Sequence, residues 1–146
     1  MARKIIIVED NPADAKILRM ALARRDPEID TFVLEDGAKA VGYFSTAQKD
    51  DFPPDLVLLD LNLPIVSGFE VLEFVKGHDT LKKIPIVVLS GSSRQHEIDR
   101  CYASGANSYM CKPTGIQQVF DMAEHLVSYW FQHAKLPKDF SIAKAI

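Results

Sequence analysis

Leu56-Val57-Leu58-Leu59-Asp60-Leu61-Asn62-Leu63-Pro64 is the stretch that decides the fold of this chain. Its unbroken aliphatic run suits a strand buried on both faces of a parallel sheet. An acid stands where the run ends. An unpaired ionised carboxylate in the core costs several kcal/mol or more. Asp60 therefore belongs at the strand's carboxyl end, facing a crevice, where open α/β sheets keep their sites.

Working outward, the same grammar recurs. Ile5-Ile6-Ile7-Val8 is β-branched throughout and is closed by Glu9-Asp10. Asn11-Pro12 breaks the pattern, with Pro12 placed for a helix start. Ile17, Leu18, Ala21 and Leu22 then share a helical face before Asp26-Pro27 stops it. Thr31–Leu34 reads as a short strand, Asp36-Gly37 as a turn, and Ala40, Val41 and Phe44 as a helix to about Ala47. Gln48–Pro54 reads as a loop. After the central strand, Pro64 and Gly68 bracket a second loop. Phe69–Lys76 is a helix with Val71, Leu72 and Val75 inward and Gly77 as its stop.

Ile86-Val87-Val88-Leu89 is a further buried strand, ending in Ser90. Arg94–Ser104 is a weakly amphipathic helix whose inner face carries only Ile98, Cys101 and Tyr102. Asn107–Cys111 is a last strand, closed by Lys112-Pro113. Ile116, Val119, Phe120, Ala123, Leu126, Val127 and Trp130 stripe a long final helix. Strand–helix alternation of this kind predicts an α/β, doubly wound (βα)5 domain with helices on both faces of a parallel five-stranded sheet.

Composition narrows the class. A chain of 146 residues buries a full core without staples. A net charge of −3 is no footprint of a nucleic-acid binder. No apolar run nears the roughly 20 residues of a membrane span, and the N-terminal run is too short for a signal peptide. Cys101 and Cys111 lack disulfide-framework or zinc spacing and read as reduced thiols of a cytoplasmic protein. His78, His96, His125 and His133 do not cluster with one another or with the acids, and take no metal or catalytic role.

The informative observation is that the strands end in Glu9-Asp10, Asp60, Ser90 and Lys112. Parallel strands bring these ends to one edge. Crowded acids repel and call for a cation, and oxygen donors without His or Cys select a hard ion, Mg²⁺. Taken singly, each residue has a plainer role. Asp10 or Asn11 caps a helix, Ser90 sits in a loop, and Lys112 is a solvated charge before a turn. Together they suit phosphoryl chemistry. Asp60 attacks to give an acyl phosphate, Lys112 balances one phosphoryl oxygen, and Ser90 hydrogen-bonds another.

At these residues the chain resembles the receiver domains of two-component response regulators. The resemblance spans about Lys4 to Val127. It rests on Val8-Glu9-Asp10-Asn11, Leu59-Asp60-Leu61-Asn62-Leu63-Pro64 with Gly68, Val88-Leu89-Ser90-Gly91, and Gly105-Ala106-Asn107-Ser108-Tyr109 leading to Lys112-Pro113. It implies a flavodoxin-like receiver fold with strand order 2-1-3-4-5. It implies Asp60 as phospho-acceptor, and Mg²⁺ on Asp10, Asp60 and the Asn62 backbone carbonyl, with Glu9 acting through water. Ser90 takes the switch-hydroxyl position, Tyr109 the switch-aromatic position, and Lys112-Pro113 the cis peptide. Asn62 and Ser92 are placed to tune the lifetime of the acyl phosphate. On phosphorylation Ser90 moves toward the phosphoryl group, Tyr109 turns inward, and the surface of the fourth helix, fifth strand and fifth helix changes shape.

The receiver accounts for residues 1–134, and residues 135–146 read as a C-terminal tail, a dimer arm. No room is left for a DNA-binding domain, so output is expected through protein contact. Trp130 continues the core stripe, but Tyr129 and Phe131 do not, which points to a homodimer built on Tyr129, Trp130, Phe131 and Leu136, with Phe140 and Ile142 beyond. The Leu-Asn-Leu-Pro stretch and the Tyr-Trp-Phe helix end resemble the single-domain receivers paired with bacterial phytochrome histidine kinases, which implies such a kinase as partner. Two other readings compete. A haloacid-dehalogenase-like phosphatase needs an acid two residues after the nucleophile, where this chain has Asn62. An interaction module that never carries phosphate stays open.

Overall fold

The computed structural model describes residues 2–47 and 53–137. Most of the Gln48–Pro54 loop, and Phe140 and Ile142 of the tail, lie outside the described residues. Strands β1 (Lys4–Val8), β2 (Asp30–Leu34), β3 (Leu56–Leu59), β4 (Ile86–Ser90) and β5 (Ser108–Cys111) alternate with helices α1 (Pro12–Arg25), α2 (Gly37–Ala47), α3 (Gly68–Lys76), α4 (Gln95–Ala103) and α5 (Ile116–Val127). All strand pairs are parallel and the sheet order is β2-β1-β3-β4-β5, as the resemblance implied.

The apolar runs are continuous because both faces of the central strands are covered. Ile6, Val8, Val57, Leu59, Ile86 and Val88 pack on Ala40 and Phe44 of α2, Val71, Leu72 and Val75 of α3, and Cys101 of α4. The alternate residues Ile5, Ile7, Leu56, Leu58, Val87 and Leu89 pack on Leu18, Ala21 and Leu22 of α1 and on Met122, Ala123, Leu126 and Val127 of α5. One side of each strand thus serves each layer, as the two-residue period requires.

Strand pairing sets the site by aligning the carboxyl ends. Asp60 N donates to Val8 O (3.0 Å), and Lys112 N donates to Ser90 O (2.7 Å). The helix starts are fixed locally. Asn11 caps α1, its Oδ1 accepting from Ala13 N (3.0 Å) and Asp14 N (3.2 Å), with Pro12 in the first helical turn. Ser67 Oγ caps α3 through Glu70 N. By contrast, α4 has no side-chain cap and buries only Cys101, so it is the most lightly held helix of its layer.

Three expectations change. No peptide bond is cis among the described residues, so Lys112-Pro113 is trans and the expected cis bond is corrected. An X–Pro bond prefers trans by about 0.5–1 kcal/mol, and the trans chain already brings Lys112 onto Ser90 O. Tyr102 does not line an inner face but is exposed. Its hydroxyl instead accepts the outward N–H of Tyr109 (3.1 Å) on the edge strand β5, which shields that edge.

The last helix also changes pitch. Ser128–His133 form a π-helix, and both Trp130 and Phe131 pack on the α1/α5 layer. The wider turn carries Phe131 off the register that an α-helix would give it, and the Arg3 guanidinium lies 5.2 Å from its ring centroid. Tyr129 alone of the three aromatics is left exposed. Among the described residues no helix is long and apolar enough to cross a membrane.

Candidate functional site

β1 ends at Val8, and the next two side chains part company. Glu9 is buried and Asp10 is exposed. Because Asn11 does the capping, Asp10 is not spent on the helix. Asp60, one residue past β3, is only 4% exposed. Its Oδ1 accepts from Asn62 N (3.2 Å), which pins the carboxylate at the start of the loop. That loop is drawn tight. Gly68 N donates to Leu61 O (3.0 Å), and the Gly68 α-carbon lies so close that a β-carbon would stand 2.2 Å from Asp60 O. Only glycine permits that approach.

Lys112 enters from the end of β5. Its Nζ donates to Glu9 Oε2 (2.6 Å) and Asp60 Oδ2 (3.2 Å), and it lies 3.6 Å from Asp14 Oδ2. Residues 9, 60 and 112, far apart in the chain, therefore meet at one rim. Burial pushes the Glu9 carboxyl up, with Asp60 adding to the push, while the Lys112 hydrogen bond and the Asn11 N–H pull it back. For Lys112 burial opposes the charge, but the Glu9 hydrogen bond and the Asp60 and Glu9 charges outweigh it and hold the ammonium above its ordinary range.

A carboxylate oxygen from each of Glu9, Asp10 and Asp60 lies within 4.8 Å of the other two. The donors are all hard oxygens, and among the described residues no His or Cys joins them. This set fits Mg²⁺ or Mn²⁺ and suits zinc poorly. Ser90 is fully buried at the end of β4, with its Oγ accepting from Ser92 N (3.2 Å). Tyr109 is half-buried, and its hydroxyl donates to Ser92 O (2.7 Å). The loop after β4 is thus held between the expected switch hydroxyl and the expected switch aromatic. Of the expected residues, Glu9, Asp10, Asp60 and Lys112 converge, while Ser90 and Tyr109 grip the adjoining loop.

Tyr129, Trp130, Phe131 and Leu136 are not part of this site. Phe131 and Gln132, with Ala2, Arg3, Arg25, Asp26 and Glu28, line a cavity of about 290 Å³ at the start of β1, the opposite rim of the sheet. Sequence reasoning missed Asp14. The available signal was the Asn11-Pro12 helix start, which fixes residue 14 one short turn in, facing back toward the strand ends.

Residues 5–124 match the family model described as the response regulator receiver domain. The chain is 33% identical over 135 residues to response regulator Rcp1 of Synechocystis sp. (PCC 6803), covering 91% of this chain and 92% of that one. Its fold superposes on the crystal structure of the phosphorylated cyanobacterial phytochrome response regulator RcpA with a TM-score of 0.87, at 37% identity, covering 94% of this chain and 99% of that one. The Mn²⁺-bound form of Rcp1 gives a TM-score of 0.83 at 32% identity, covering 92% and 99%.

Proposed function

The chain belongs to the response regulator receiver family, and on that premise we propose that Asp60 accepts a phosphoryl group from a sensor histidine kinase in a Mg²⁺-dependent step. The observation that carries this reading is the meeting of Lys112 Nζ with Asp60 Oδ2 (3.2 Å) and Glu9 Oε2 (2.6 Å) beside Asp10. Glu9, Asp10, Asp60 and the Asn62 backbone carbonyl would hold the ion, with Glu9 acting through water. The Mn²⁺-bound form of the relative Rcp1 supports a divalent ion here. When bound, Mg²⁺ neutralises charge on the transferring group and holds it in line for attack.

The rest is chemistry of this chain's own residues. An Asp60 Oδ–P bond forms as the N–P bond of a phosphohistidine breaks, and the imidazole leaves. Lys112 pairs with one phosphoryl oxygen, and Ser90 donates its hydroxyl to another. Drawing Ser90 toward the phosphoryl group pulls on Ser92, whose N–H it holds and whose carbonyl Tyr109 holds. α4, the lightly held helix, then shifts with the loop. The protein is on this reading a signalling protein rather than an enzyme of turnover.

The upstream partner is a phytochrome histidine kinase, supported by the likeness to RcpA. Residues 1–134 form the receiver and residues 135–146 the arm of a homodimer. Exposed Tyr129 supports that arm, with half-buried Leu136 after it, while Trp130 and Phe131 serve mainly their own core.

Incubation with acetyl phosphate and Mg²⁺ tests the acceptor. The expected result is a mass gain of about 80 Da, one phosphoryl group, lost in Asp60→Asn. No gain in the wild type, or a gain that survives Asp60→Asn, refutes the assignment. Light scattering with and without beryllofluoride tests the dimer, and a monomer in both states refutes it.

A further inference from the structure

Lys112 has a third acid in reach. Besides Glu9 and Asp60, its Nζ lies 3.6 Å from Asp14 Oδ2. Asp14 is set there by the start of α1. Pro12 opens the helix, and Asn11 Oδ1 takes the N–H groups of Ala13 and Asp14. Its side chain is 51% exposed, at the mouth of the site, against 5% for Asp60 and 8% for Glu9.

The three acids differ in what else they face. Glu9 and Asp60 each give an oxygen to the carboxylate cluster that fits a divalent ion, and Asp14 is not among its members. A divalent cation drawn to that cluster competes with Lys112 for the same two carboxylates, and it repels the ammonium at short range. Lys112 must then give up Glu9 and Asp60. Asp14 is the acid already beside it that the ion does not claim.

We infer that Asp14 is a positioning residue for Lys112: an outer anchor that takes the ammonium when Mg²⁺ takes Glu9 and Asp60, and holds it at the mouth for the incoming phosphoryl group. The inference rests on the reading of Asp60 as a Mg²⁺-dependent acceptor, and deepens it. It has a thermodynamic consequence. Asp14 pairs with Lys112 more strongly in the loaded site than in the metal-free one, so it favours the loaded state and tightens Mg²⁺ binding through Lys112.

Calorimetric titration of the full chain with MgCl₂ tests this in a double-mutant cycle of wild type, Asp14→Asn, Lys112→Met and the double variant. With Lys112 present, Asp14→Asn is expected to weaken Mg²⁺ binding about 5-fold. With Lys112→Met the same change is expected to weaken it at most about 2-fold, the part owed to a lost charge near the ion. An equal or larger factor in the Lys112→Met background overturns the anchor, as does no change in either background. A fall in melting temperature without a change in Mg²⁺ affinity would make Asp14 merely structural and also overturns it. A wild-type chain that takes up no Mg²⁺ sinks the metal-dependent acceptor instead, so the two failures are distinct.

Discussion

Replacing Gly68 by alanine strikes the acceptor through its backbone. A β-carbon there would meet Asp60 O at 2.2 Å, Leu61 Cα at 2.5 Å and Asp60 C at 2.9 Å. Side-chain β-carbons do not approach heavy atoms inside 3.0 Å, so α3 and the Asp60 main chain must separate by about 0.8 Å, the difference between 3.0 and 2.2 Å. All three obstacles are main chain, so no rotamer change relieves them. Overpacking of this kind costs about 1–3 kcal/mol, and the stiffer unfolded chain of alanine returns about 0.4–1 kcal/mol. A net loss of about 1 kcal/mol is expected in urea unfolding. The functional effect is larger, because Asp60 moves relative to Lys112 and Glu9, and a misplacement near 1 Å costs about 10²-fold in rate. Phosphorylation by acetyl phosphate, followed by intact-protein mass, should slow by about that factor. A Gly68→Ala protein that unfolds with the wild type and phosphorylates at its rate would show that this close approach does not hold the acceptor in place.

Ile65 is a second test of backbone strain. It has φ of 69°, its turn is closed by Val66 N donating to Pro64 O (2.8 Å), and it is 84% exposed, so burial returns nothing. A β-branched residue so placed costs about 1–3 kcal/mol. Ile65→Gly should raise stability by about 1 kcal/mol after the entropy of glycine is counted, and a lower urea midpoint would contradict the strain. Asn11→Ala removes the cap of α1 and should cost about 1 kcal/mol, read by the same urea titration; an unchanged midpoint would mean that water replaces the cap without loss. For Glu9, burial raises the folded carboxyl above its ordinary 4.5, so the native state binds the proton more tightly than the unfolded chain. Its stability contribution is therefore full below pH 4.5 and is lost as pH rises through the raised folded value. Melting of the metal-free protein against Glu9→Gln from pH 4 to 8 should show the wild type losing ground as pH rises, and a difference independent of pH would refute it.

The central strands could be read along the chain because each is a local apolar run that ends in a polar residue, and because parallel connections send the strand ends to one rim. That sufficed for Asp60, Asp10, Glu9, Ser90 and Lys112, whose grouping depends on topology more than on any one contact. The helix start at Asn11-Pro12 was legible too, since capping is settled within one turn, whereas the Ser67 cap of α3 emerged only from the structure. Packing across the sheet decided the rest. Whether Lys112-Pro113 is cis or trans depends on where β5 lies against β4. Whether Phe131 faces its own core depends on the π-turn after Val127 and on Arg3 from another strand. Tyr102 faces outward because the edge of β5 offers its hydroxyl a partner. Asp14 reaches Lys112 only because α1 and the end of β5 meet in space. Periodicity and capping act within a few residues and are written in the chain; the pairing of a charge or a ring with a distant partner is settled when the layers close, because only then is its water removed.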